Sequence, residues 1–425
     1  MTQLTAFVQE HISDDLTRLI LDRKKWPDID MDLAVSCIQS RRKLKGKIKE
    51  WYDNPDLIFP ASLSAEQCSS SATGFYKAAV AEKIVGKGAR IADLTGGLGV
   101  DSWYFSKVAE SVLYNEMQEV LCTAAQHNFK TLSSNNIVVS NIKVETDSSA
   151  FHEIIKEFKA ELIYMDPARR GEGGKKVFLI EDCTPDVLTL REELFACTRH
   201  ILLKLSPMAD ISMVCSRLGK TCREVHVVAS GGECKELLIW MDCEWSGEYE
   251  IVAVELPSGY PDIEPATLSF TSSEEKISPL ALLGRNDRIT SRDLTLSSRA
   301  ESRDLYLFEP GKALMKAGCF NLIAEHFGLV KMGVSTHYYV TEEETKAELL
   351  KSYGKVYKIL SWEPLDKRTI KAAGKAYPHA EVTARNIPMD TETLRKKLGV
   401  TSGDDAHIFG LKSDYLGNLL IITRR

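Results

Sequence analysis

A glycine-rich turn between two acidic strand ends is the first candidate site for ligand chemistry. The segment RIADLTGGLGVDSW has the pattern of a strand that ends at Asp93, a turn with Gly97 and Gly99, and a helix that begins near Val100. Glycine permits positive φ angles and lets a ligand approach the backbone closely. The next predicted strand ends at Glu116, where a carboxylate is placed to accept both hydroxyl groups of a ribose.

Two ligand classes fit such a turn, and Asp93 distinguishes between them. A dinucleotide-binding turn has the pattern G-x-G-x-x-G, which Gly97, Gly99 and Ser102 match only loosely. The carboxylate of Asp93 would repel a pyrophosphate, whereas it suits the amino group of a methionine moiety. The residues therefore favour S-adenosylmethionine (SAM) over NAD. The alternative is a plain turn between a strand and a helix, with incidental acids.

A second charged turn follows the apolar strand ELIYM. Asp166 and Pro167 end this strand, and the segment DPARRGEGGKK then adds four basic side chains, those of Arg169, Arg170, Lys175 and Lys176. Ligands of an open α/β sheet bind outside the carboxyl ends of its strands, so we expect Asp166 to project into the site and Pro167 to stiffen the turn. A structural turn with solvated charges is the alternative.

The elements that would position these residues alternate between strands and helices from about residue 88. Seven candidate strands occupy residues 90–94, 111–116, 136–141, 161–166, 200–206, 223–230 and 235–242. Helical segments separate the first six strands, and only GGEC separates the last two. This pattern predicts an α/β fold with a doubly wound, mostly parallel, seven-stranded Rossmann-like sheet, whose last strand is antiparallel at or near one edge.

Changes in pattern along the chain predict four regions. They are an N-terminal helical region at 1–87, the α/β domain at 88–245, a further domain at 246–350 and a small α+β module at 351–425. In the first region, SRRKLKGKIKEW is strongly basic, and SAEQ predicts a capping box with Ser64 as N-cap and Gln67 as its partner. In the last region, Asp390 is the predicted N-cap of the helix DTETLRKKLGV.

Charge is unevenly distributed along the 425 residues. The net charge is −6, but residues 351–425 hold 14 Lys and Arg against 8 Asp and Glu, or +6, which leaves −12 for the first 350 residues. A basic C-terminal module suggests contact with a polyanion, and chance variation between small domains is the alternative.

Other sequence features concern location and metal binding. The ten cysteines include no C-x-x-C pair and the nine histidines no H-x-x-x-H pair, which predicts reduced thiols of a cytoplasmic protein and no metal site. The chain has no apolar run of about 18 residues, so no membrane span is expected.

The segment Asp93–Gly99 resembles the first motif of class I SAM-dependent methyltransferases, D/E-x-G-x-G-x-G, with Thr95 in place of the first glycine. The resemblance implies a methyltransferase sheet, SAM as cofactor, Glu116 as the ribose-binding acid and Asp147 on the adenine amino group. The implied cofactor contacts are Asp93, Leu94, Thr95, Gly96, Gly97, Gly99, Glu116, Met117, Asp147 and Ser148. The implied catalytic motif comprises Asp166, Pro167 and Arg169.

The motif set as a whole is similar to a bacterial methyltransferase group with a C-terminal THUMP-like domain. The matching segments are EQCSSSATGFYKA, DLTGGLGVDS, DPARRGEGGKK, LKLSPMADI, YLFEPGKALMKAGCF and VTARNIPMDTETLRKKLG. Because THUMP domains are RNA-binding modules, the resemblance implies RNA methylation on a base of tRNA or rRNA, with a ferredoxin-like domain at 246–350 and a THUMP-like domain at 351–425. A small-molecule or protein methyltransferase on the same fold is the alternative.

The resemblance also suggests residues that contact the acceptor. Arg169 stands where base-methylating enzymes carry the aromatic residue of [D/N/S]-P-P-[Y/F/W], and a guanidinium can stack on a base. Arg170 is expected to contact an RNA phosphate, and Lys204 and Ser206 to line the acceptor pocket. For Lys204, a surface lysine is the alternative. Two further residues, Gln67 and Lys77, are candidates to close over the cofactor.

Overall fold

The computed structural model describes residues 2–169, 179–271, 273 and 304–424. The described residues belong to two units: residues 1–230, 235–249 and 259–263 form the first, and residues 231–234, 250–258 and 264–425 the second. The expected RNA contacts of Arg170, Lys175 and Lys176, and of the Arg169 side chain, lie outside the described residues and stay predictions.

The N-terminal region is helical, as predicted. Its described helices are α1 (Gln3–Glu10), α2 (Leu16–Leu21), α3 (Met31–Leu44), α4 (Lys49–Tyr52), α5 (Ser62–Gln67) and α6 (Ser71–Val85). Phe7 of α1, Leu19 of α2 and Ile38 of α3 are buried in one apolar cluster. The helices therefore pack together through their apolar faces.

The predicted capping box at Ser64 is wrong. Helix α5 begins at Ser62 after Ala61, which makes no side-chain capping bond. Ser64 therefore lies inside the helix, whereas an N-cap residue has non-helical backbone angles. A capping side chain instead starts the next helix, where the hydroxyl of Ser70 accepts a hydrogen bond from the N–H of Thr73.

The α/β region folds as strands and helices in alternation. Its strands are β1 (Arg90–Asp93), β2 (Ser111–Asn115), β3 (Ile137–Ser140), β4 (Leu162–Met165), β5 (Ala168–Arg169), β6 (Cys183–Thr184), β7 (His200–Leu205), β8 (Cys222–Ser230) and β9 (Glu233–Asp242). Its helices are α7 (Val100–Phe105), α8 (Glu119–Thr131), α9 (Ser149–Phe158), α10 (Val187–Cys197) and α11 (Ile211–Leu218). β4 is buried at every position, as expected of a strand covered on both faces.

The sheet is larger than predicted. Its order is β11-β10-β8-β9-β7-β4-β1-β2-β3, with β10 (Glu250–Leu256) and β11 (Ala266–Thr271) added to the seven predicted strands, so the count of seven is wrong. The final predicted strand, β9, is antiparallel to β7, as expected. It lies between β7 and β8, so it is an interior strand and not an edge strand, because β8 and β9 form a hairpin whose outer neighbour is β10.

Parallel pairing brings the predicted strand ends together. Asp93 of β1 is in register with Tyr114 of β2 on one side and with Tyr164 of β4 on the other. The segments after β1, β2 and β4 therefore leave the sheet at the same edge. β5 and β6 form a separate antiparallel pair, which starts two residues after Asp166.

The second unit is built on a sheet of order β13-β14-β12-β15-β18-β17-β16. Its strands are β12 (Leu305–Pro310), β13 (Val330–Lys331), β14 (Tyr339–Thr341), β15 (Gly354–Pro364), β16 (His379–Arg385), β17 (Thr401–Ser413) and β18 (Gly417–Arg424). The helices that lie between these strands along the chain are α12 (Lys312–Ala317), α13 (Phe320–Phe327), α14 (Glu344–Leu350), α15 (Lys367–Ala376) and α16 (Thr391–Leu398). β12 pairs with β15, so one sheet includes residues on both sides of position 350. The domain boundary at that position stays a prediction.

The local prediction for the last module agrees with the structure. The Asp390 carboxylate accepts a hydrogen bond from the N–H of Thr393 at 2.7 Å, which confirms Asp390 as the N-cap of α16. β17 and β18 form an antiparallel hairpin, which closes at Ser413 and Gly417. No helix among the described residues is long and apolar enough to cross a membrane.

Candidate functional site

A cavity of about 710 Å³ lies in the first unit at the carboxyl ends of β1, β2 and β4. Its walls are the glycine turn after β1, the segment after β2, residues 142–147, the end of α5 and residues 184–190. Ligand sites of open α/β sheets occupy this position, and the volume is in the range of small-molecule sites.

The cavity is strongly acidic. Among its described lining residues, seven carry a carboxyl group and one carries a positive charge. The acids are Asp93, Asp101, Glu116, Glu145, Asp147, Asp166 and Asp186, and the base is Lys143, which pairs with Glu145. Because carboxylates attract cations and hydrogen-bond donors and repel phosphates, the cavity suits a cationic ligand and disfavours a pyrophosphate.

The glycine turn is closely packed from behind. A Cβ atom on Gly96 would lie 2.2 Å from the ring of Tyr114, so only glycine fits at this position. Gly99 has a φ angle of +87°, and a Cβ atom there would lie 2.5 Å from the ring of Phe129. Gly99 directly precedes α7, whose start at Val100 is as predicted. Gly96 and Gly97 line the cavity, whereas Gly99 is not among the lining residues and shapes the turn.

Asp93 lines the cavity and is fully buried. Its side chain has no exposed surface, and both carboxyl oxygens accept hydrogen bonds, Oδ1 from the N–H of Thr95 at 3.1 Å and Oδ2 from the hydroxyl of Ser102 at 2.6 Å. Burial raises the pKa of Asp93 to about 8, and the hydrogen bond from Ser102 opposes this shift. Asp93 therefore holds the turn in place, and contact with the amino group of a ligand stays a prediction.

Glu116 connects the end of β2 with the glycine turn. Its Oε2 accepts a hydrogen bond from the N–H of Gly97 at 3.0 Å, and its Oε1 accepts one from the N–H of Gln118 at 2.9 Å. Each carboxylate oxygen has a second lone pair, so the oriented group can still accept two hydroxyl donors. Next to it, Met117 is 58% exposed and offers an apolar surface at the cavity wall.

The remaining predicted cofactor residues differ in position. Leu94 and Thr95 line the cavity beside the glycine turn, and Asp147 lines it as well. Ser148 is not among the lining residues, because its hydroxyl caps α9 by accepting a hydrogen bond from the N–H of Phe151 at 3.3 Å.

Asp166 is held by groups from two neighbouring strands. The hydroxyl of Thr95 accepts a hydrogen bond from the backbone N–H of Asp166 at 2.6 Å. The ammonium group of Lys204, on β7, donates to the Asp166 carboxylate. Burial lowers the pKa of Lys204, but the carboxylates of Asp166, Glu236 and Asp101 outweigh that effect, and the net shift is upward. Lys204 is therefore a charged partner of Asp166 and not a surface lysine.

The other residues predicted to contact the methyl acceptor are Pro167, which follows Asp166, and Ser206, which follows β7. Pro167 is buried and is followed by the short strand β5. The hydroxyl of Ser206 accepts a hydrogen bond from the N–H of Met208 at 3.3 Å, and Ser206 is not among the lining residues of the cavity. Gln67, at the end of α5, lines the cavity, as do Thr184 and Thr189.

A buried charge network beneath the cavity escaped the sequence analysis. Lys77 is completely buried, and its ammonium group donates to both oxygens of Glu236 at 2.8 and 2.9 Å and lies 3.4 Å from Asp101. Asp101 also accepts hydrogen bonds from the hydroxyls of Ser69 at 3.0 Å and Tyr164 at 2.8 Å. The predicted closure of Lys77 over the cofactor is therefore wrong, since its charge is engaged inside the unit.

The network keeps Asp101 ionised at the edge of the cavity. Burial raises the pKa of Asp101, but the charges of Lys77 and Lys204 outweigh it and the net shift is downward. The sequence offered two indications of this network. Lys77 stands on an otherwise apolar helix face, and Asp101 follows the last glycine of the turn by two residues. Neither indication identifies the partners of Lys77, because Asp101 and Glu236 are far from it in sequence.

Among the described residues, no group of three or more His, Cys, Asp or Glu side chains is arranged to hold a metal ion.

Comparison with known families identifies two segments of the second unit. Residues 306–347 match a family model described as a ferredoxin-like domain, and residues 354–425 match one described as THUMP domain-like. A comparison with curated proteins finds no match.

Solved structures provide a match over nearly the whole chain. A candidate methyltransferase from Porphyromonas gingivalis W83 is 28% identical, with 99% of this chain and 97% of that chain covered and a TM-score of 0.79. A predicted O-methyltransferase from Agrobacterium tumefaciens is 18% identical over 40% of this chain and 79% of that chain, with a TM-score of 0.30. An rRNA methylase from Streptococcus thermophilus is 10% identical over 40% of this chain and 94% of that chain, with a TM-score of 0.29.

The last two TM-scores are too low to support an inference. The chain is thus structurally homologous to the Porphyromonas gingivalis protein over nearly its full length and contains a THUMP-like segment at its C-terminal end.

Proposed function

We propose that the protein is a SAM-dependent methyltransferase that acts on a base of tRNA or rRNA. The observation that carries the proposal is the acidic cavity at the carboxyl ends of β1, β2 and β4, in which the oriented Glu116 carboxylate is hydrogen-bonded to the glycine turn. The full-length likeness to a candidate methyltransferase of Porphyromonas gingivalis supports the same activity.

The residues of the cavity fit SAM better than they fit NAD. SAM carries an ammonium and a sulfonium group, and carboxylates of the cavity wall such as Glu116, Asp147 and Asp166 attract such cations. A dinucleotide carries a pyrophosphate instead, for which the lining offers a single lysine that is paired with Glu145. In our proposal the backbone at Gly96 and Gly97 cradles the cofactor, Glu116 binds the ribose, and Met117 and Asp147 contact the adenine.

The acceptor would lie against Asp166. When bound, SAM supplies an electrophilic methyl group, so the protein mainly has to hold the acceptor atom in line with it. The Asp166 carboxylate accepts a hydrogen bond from Lys204, and the backbone N–H of Asp166 donates to Thr95. The carboxylate is thus suited to accept a hydrogen bond from an acceptor N–H. Lys204 stays protonated beside it, so the pair orients a neutral amine without adding net charge at the reacting position.

An RNA base is the acceptor that the chain supports best. The THUMP domain-like match at 354–425 and the net charge of +6 on residues 351–425 favour an RNA partner. Enzymes that modify a base draw the nucleotide out of its stack into a pocket, and a neutral base with N–H donors suits carboxylates where a phosphate would not. A small-molecule or protein acceptor on the same fold is the competing reading.

The experiment combines purified protein, radiolabelled SAM and RNA from a strain that lacks the gene, so that the sites are unmodified. Label in RNA that nuclease releases, together with a labelled nucleoside after complete digestion, is the expected result and identifies the base. SAM binding with no label in RNA would overturn the RNA acceptor and favour the alternative substrates. Absence of SAM binding would overturn the enzyme class.

A further inference from the structure

The chain has two strongly basic stretches, and the structure uses the first of them internally. Five of the six basic residues in SRRKLKGKIKEW have partners within the first unit. The buried guanidinium of Arg41 donates to the backbone oxygens of Tyr52, Asn54, Pro55 and Leu57. Arg42 donates to the backbone oxygens of residues 12 and 14, Lys43 and Lys47 bind around residues 62–66, and Lys49 pairs with Asp53. This stretch is consequently a poor candidate for binding a polyanion.

The second basic stretch, on α15 and α16, is mostly exposed and, within the described part of the chain, mostly lacks such partners. On α15 and α16, six basic side chains are exposed, and among the described residues none of them forms an ion pair with a carboxylate. We refer to them as the cationic helix surface: Lys367, Arg368, Lys371, Lys375, Lys396 and Lys397. Other lysines of the same unit are paired, such as Lys346 with Glu343, Lys351 with Glu348 and Lys358 with Asp304.

The two helices form one layer. A Cβ atom on Gly374 of α15 would lie 1.8 Å from the backbone oxygen of Leu398 of α16, so the helices are in backbone contact. Ile370 of α15 and Leu394 of α16 are buried in the same cluster, with Val382, Ile408 and Leu420 of the sheet. Both helices therefore cover the same face of β16, β17 and β18, and their charged sides face solvent together.

We propose that the cationic helix surface binds the phosphate backbone of the RNA substrate and supplies most of its affinity. The proposal rests on the proposed function, since it names the part of the chain that holds the substrate of that reaction. Unpaired cations on adjacent helices match a polyanion, and no large apolar side chain of α15 or α16 is exposed for insertion into a membrane or a protein groove.

The charge of the cavity makes such a surface necessary. Carboxylates line the place where the base would react, so the cavity itself repels the sugar–phosphate backbone. Affinity and chemistry are consequently divided: the cationic helix surface attracts RNA without regard to sequence, and the cavity accepts a neutral base. RNA binding and methyl transfer should therefore respond separately to substitutions.

The test compares two triple variants of the full chain with equal loss of charge. The test variant is K371Q/K375Q/K396Q, and the matched control is K346Q/K351Q/K358Q, in which the three lysines removed are those paired with carboxylates. Binding of a labelled pool of bulk transfer RNA is measured over a range of KCl concentrations. SAM affinity and the kcat and KM of methyl transfer are measured in parallel.

For the test variant we expect RNA binding to weaken on the order of tenfold and the slope of log K against log salt to fall by about 2 to 3. KM for RNA should rise accordingly, while kcat and SAM affinity stay within about twofold of wild type. For the control variant, RNA binding should change by less than about twofold.

Three results would overturn the proposal. They are an unchanged salt slope in the test variant, an equal loss in both variants, and tighter binding of wild type to phosphatidylserine vesicles than to RNA. If RNA binding depends on the surface but the protein does not bind SAM, the proposed enzyme function fails while the assignment of the RNA-binding surface stands.

Discussion

The hydroxyl of Thr95 accepts a hydrogen bond from the backbone N–H of Asp166 at 2.6 Å, so the turn after β1 is tied directly to the turn after β4. Thr95 stands where the methyltransferase motif that this segment resembles has its first glycine. A glycine lacks the oxygen that accepts this bond. Thr95 in place of glycine therefore allows a hydrogen bond between the turn predicted to bind the cofactor and Asp166, which is predicted to contact the methyl acceptor.

Replacing Thr95 tests this link. In Thr95→Val the N–H of Asp166 loses its partner without a change in side-chain shape, which should cost about 1–3 kcal/mol of unfolding free energy. Turnover should fall as well, because Asp166 is less firmly positioned. Thr95→Ser keeps the hydroxyl and is the control. Urea unfolding and labelled-methyl transfer measure the two effects, and equal behaviour of the two variants would refute the role of the bond.

Glu116→Gln should weaken SAM binding. Glutamine offers only one acceptor oxygen, so it cannot keep both backbone bonds and also accept two hydroxyl groups of a ribose. Loss of one charge-assisted hydrogen bond corresponds to about 10- to 100-fold in affinity. Calorimetric titration with SAM measures the change, and Glu119→Gln, an exposed acid on the following helix, is the control. Similar affinities for the two variants would remove Glu116 from the cofactor site.

Asp166→Asn should separate binding from turnover. Asparagine retains an oxygen for the acceptor but no longer attracts Lys204, so the acceptor is held less firmly and kcat should fall about 10- to 100-fold. SAM affinity should stay within about twofold, because the cofactor contacts lie at the glycine turn and at Glu116. Glu145→Gln, on the cavity wall and paired with Lys143, serves as the control. An equal loss of SAM binding and turnover in Asp166→Asn would contradict the assigned role.

Lys77→Met should destabilise the first unit. The substitution leaves the buried Glu236 carboxylate without its cation and removes one of the two charges that stabilise ionised Asp101. Removing one partner of a buried pair typically costs about 3–5 kcal/mol. Denaturant unfolding measures this cost. The double variant Lys77→Met/Glu236→Gln should recover a part of it, and no recovery would show that the loss comes from packing and not from charge.

Asp93 should make stability depend on pH. Its pKa rises from 3.8 to about 8 on folding, so the folded protein binds the additional proton between these values. The contribution of this group to stability is fully present below the lower value and is lost as pH rises through the upper one. We expect the difference in unfolding free energy between wild type and Asp93→Asn to shift against wild type from about pH 5 to about pH 9. A constant difference over this range would mean that Asp93 is ionised throughout.

Sequence patterns alone predicted the elements around the site because those patterns are local. Buried parallel strands appear as short apolar runs, and all seven predicted strands have bounds within two residues of the observed ones. The glycine turn, the start of α7 at Val100 and the Asp390 cap depend on a few neighbouring residues. The order of strands then placed Asp93, Glu116 and Asp166 at one edge of the sheet, because carboxyl ends of neighbouring parallel strands meet there.

Tertiary structure alone decided which charges are available to a ligand. Arg41 and Lys77 have the same charge in the sequence as Lys371, but the first two are buried against backbone oxygens or carboxylates and the third is exposed. Strand pairing was decided in the same way: β9 lies between β7 and β8, and β10 and β11 extend the sheet. Such pairings join residues that are distant along the chain, and they depend on which groups meet when the apolar faces pack. Residue type and spacing do not contain that information.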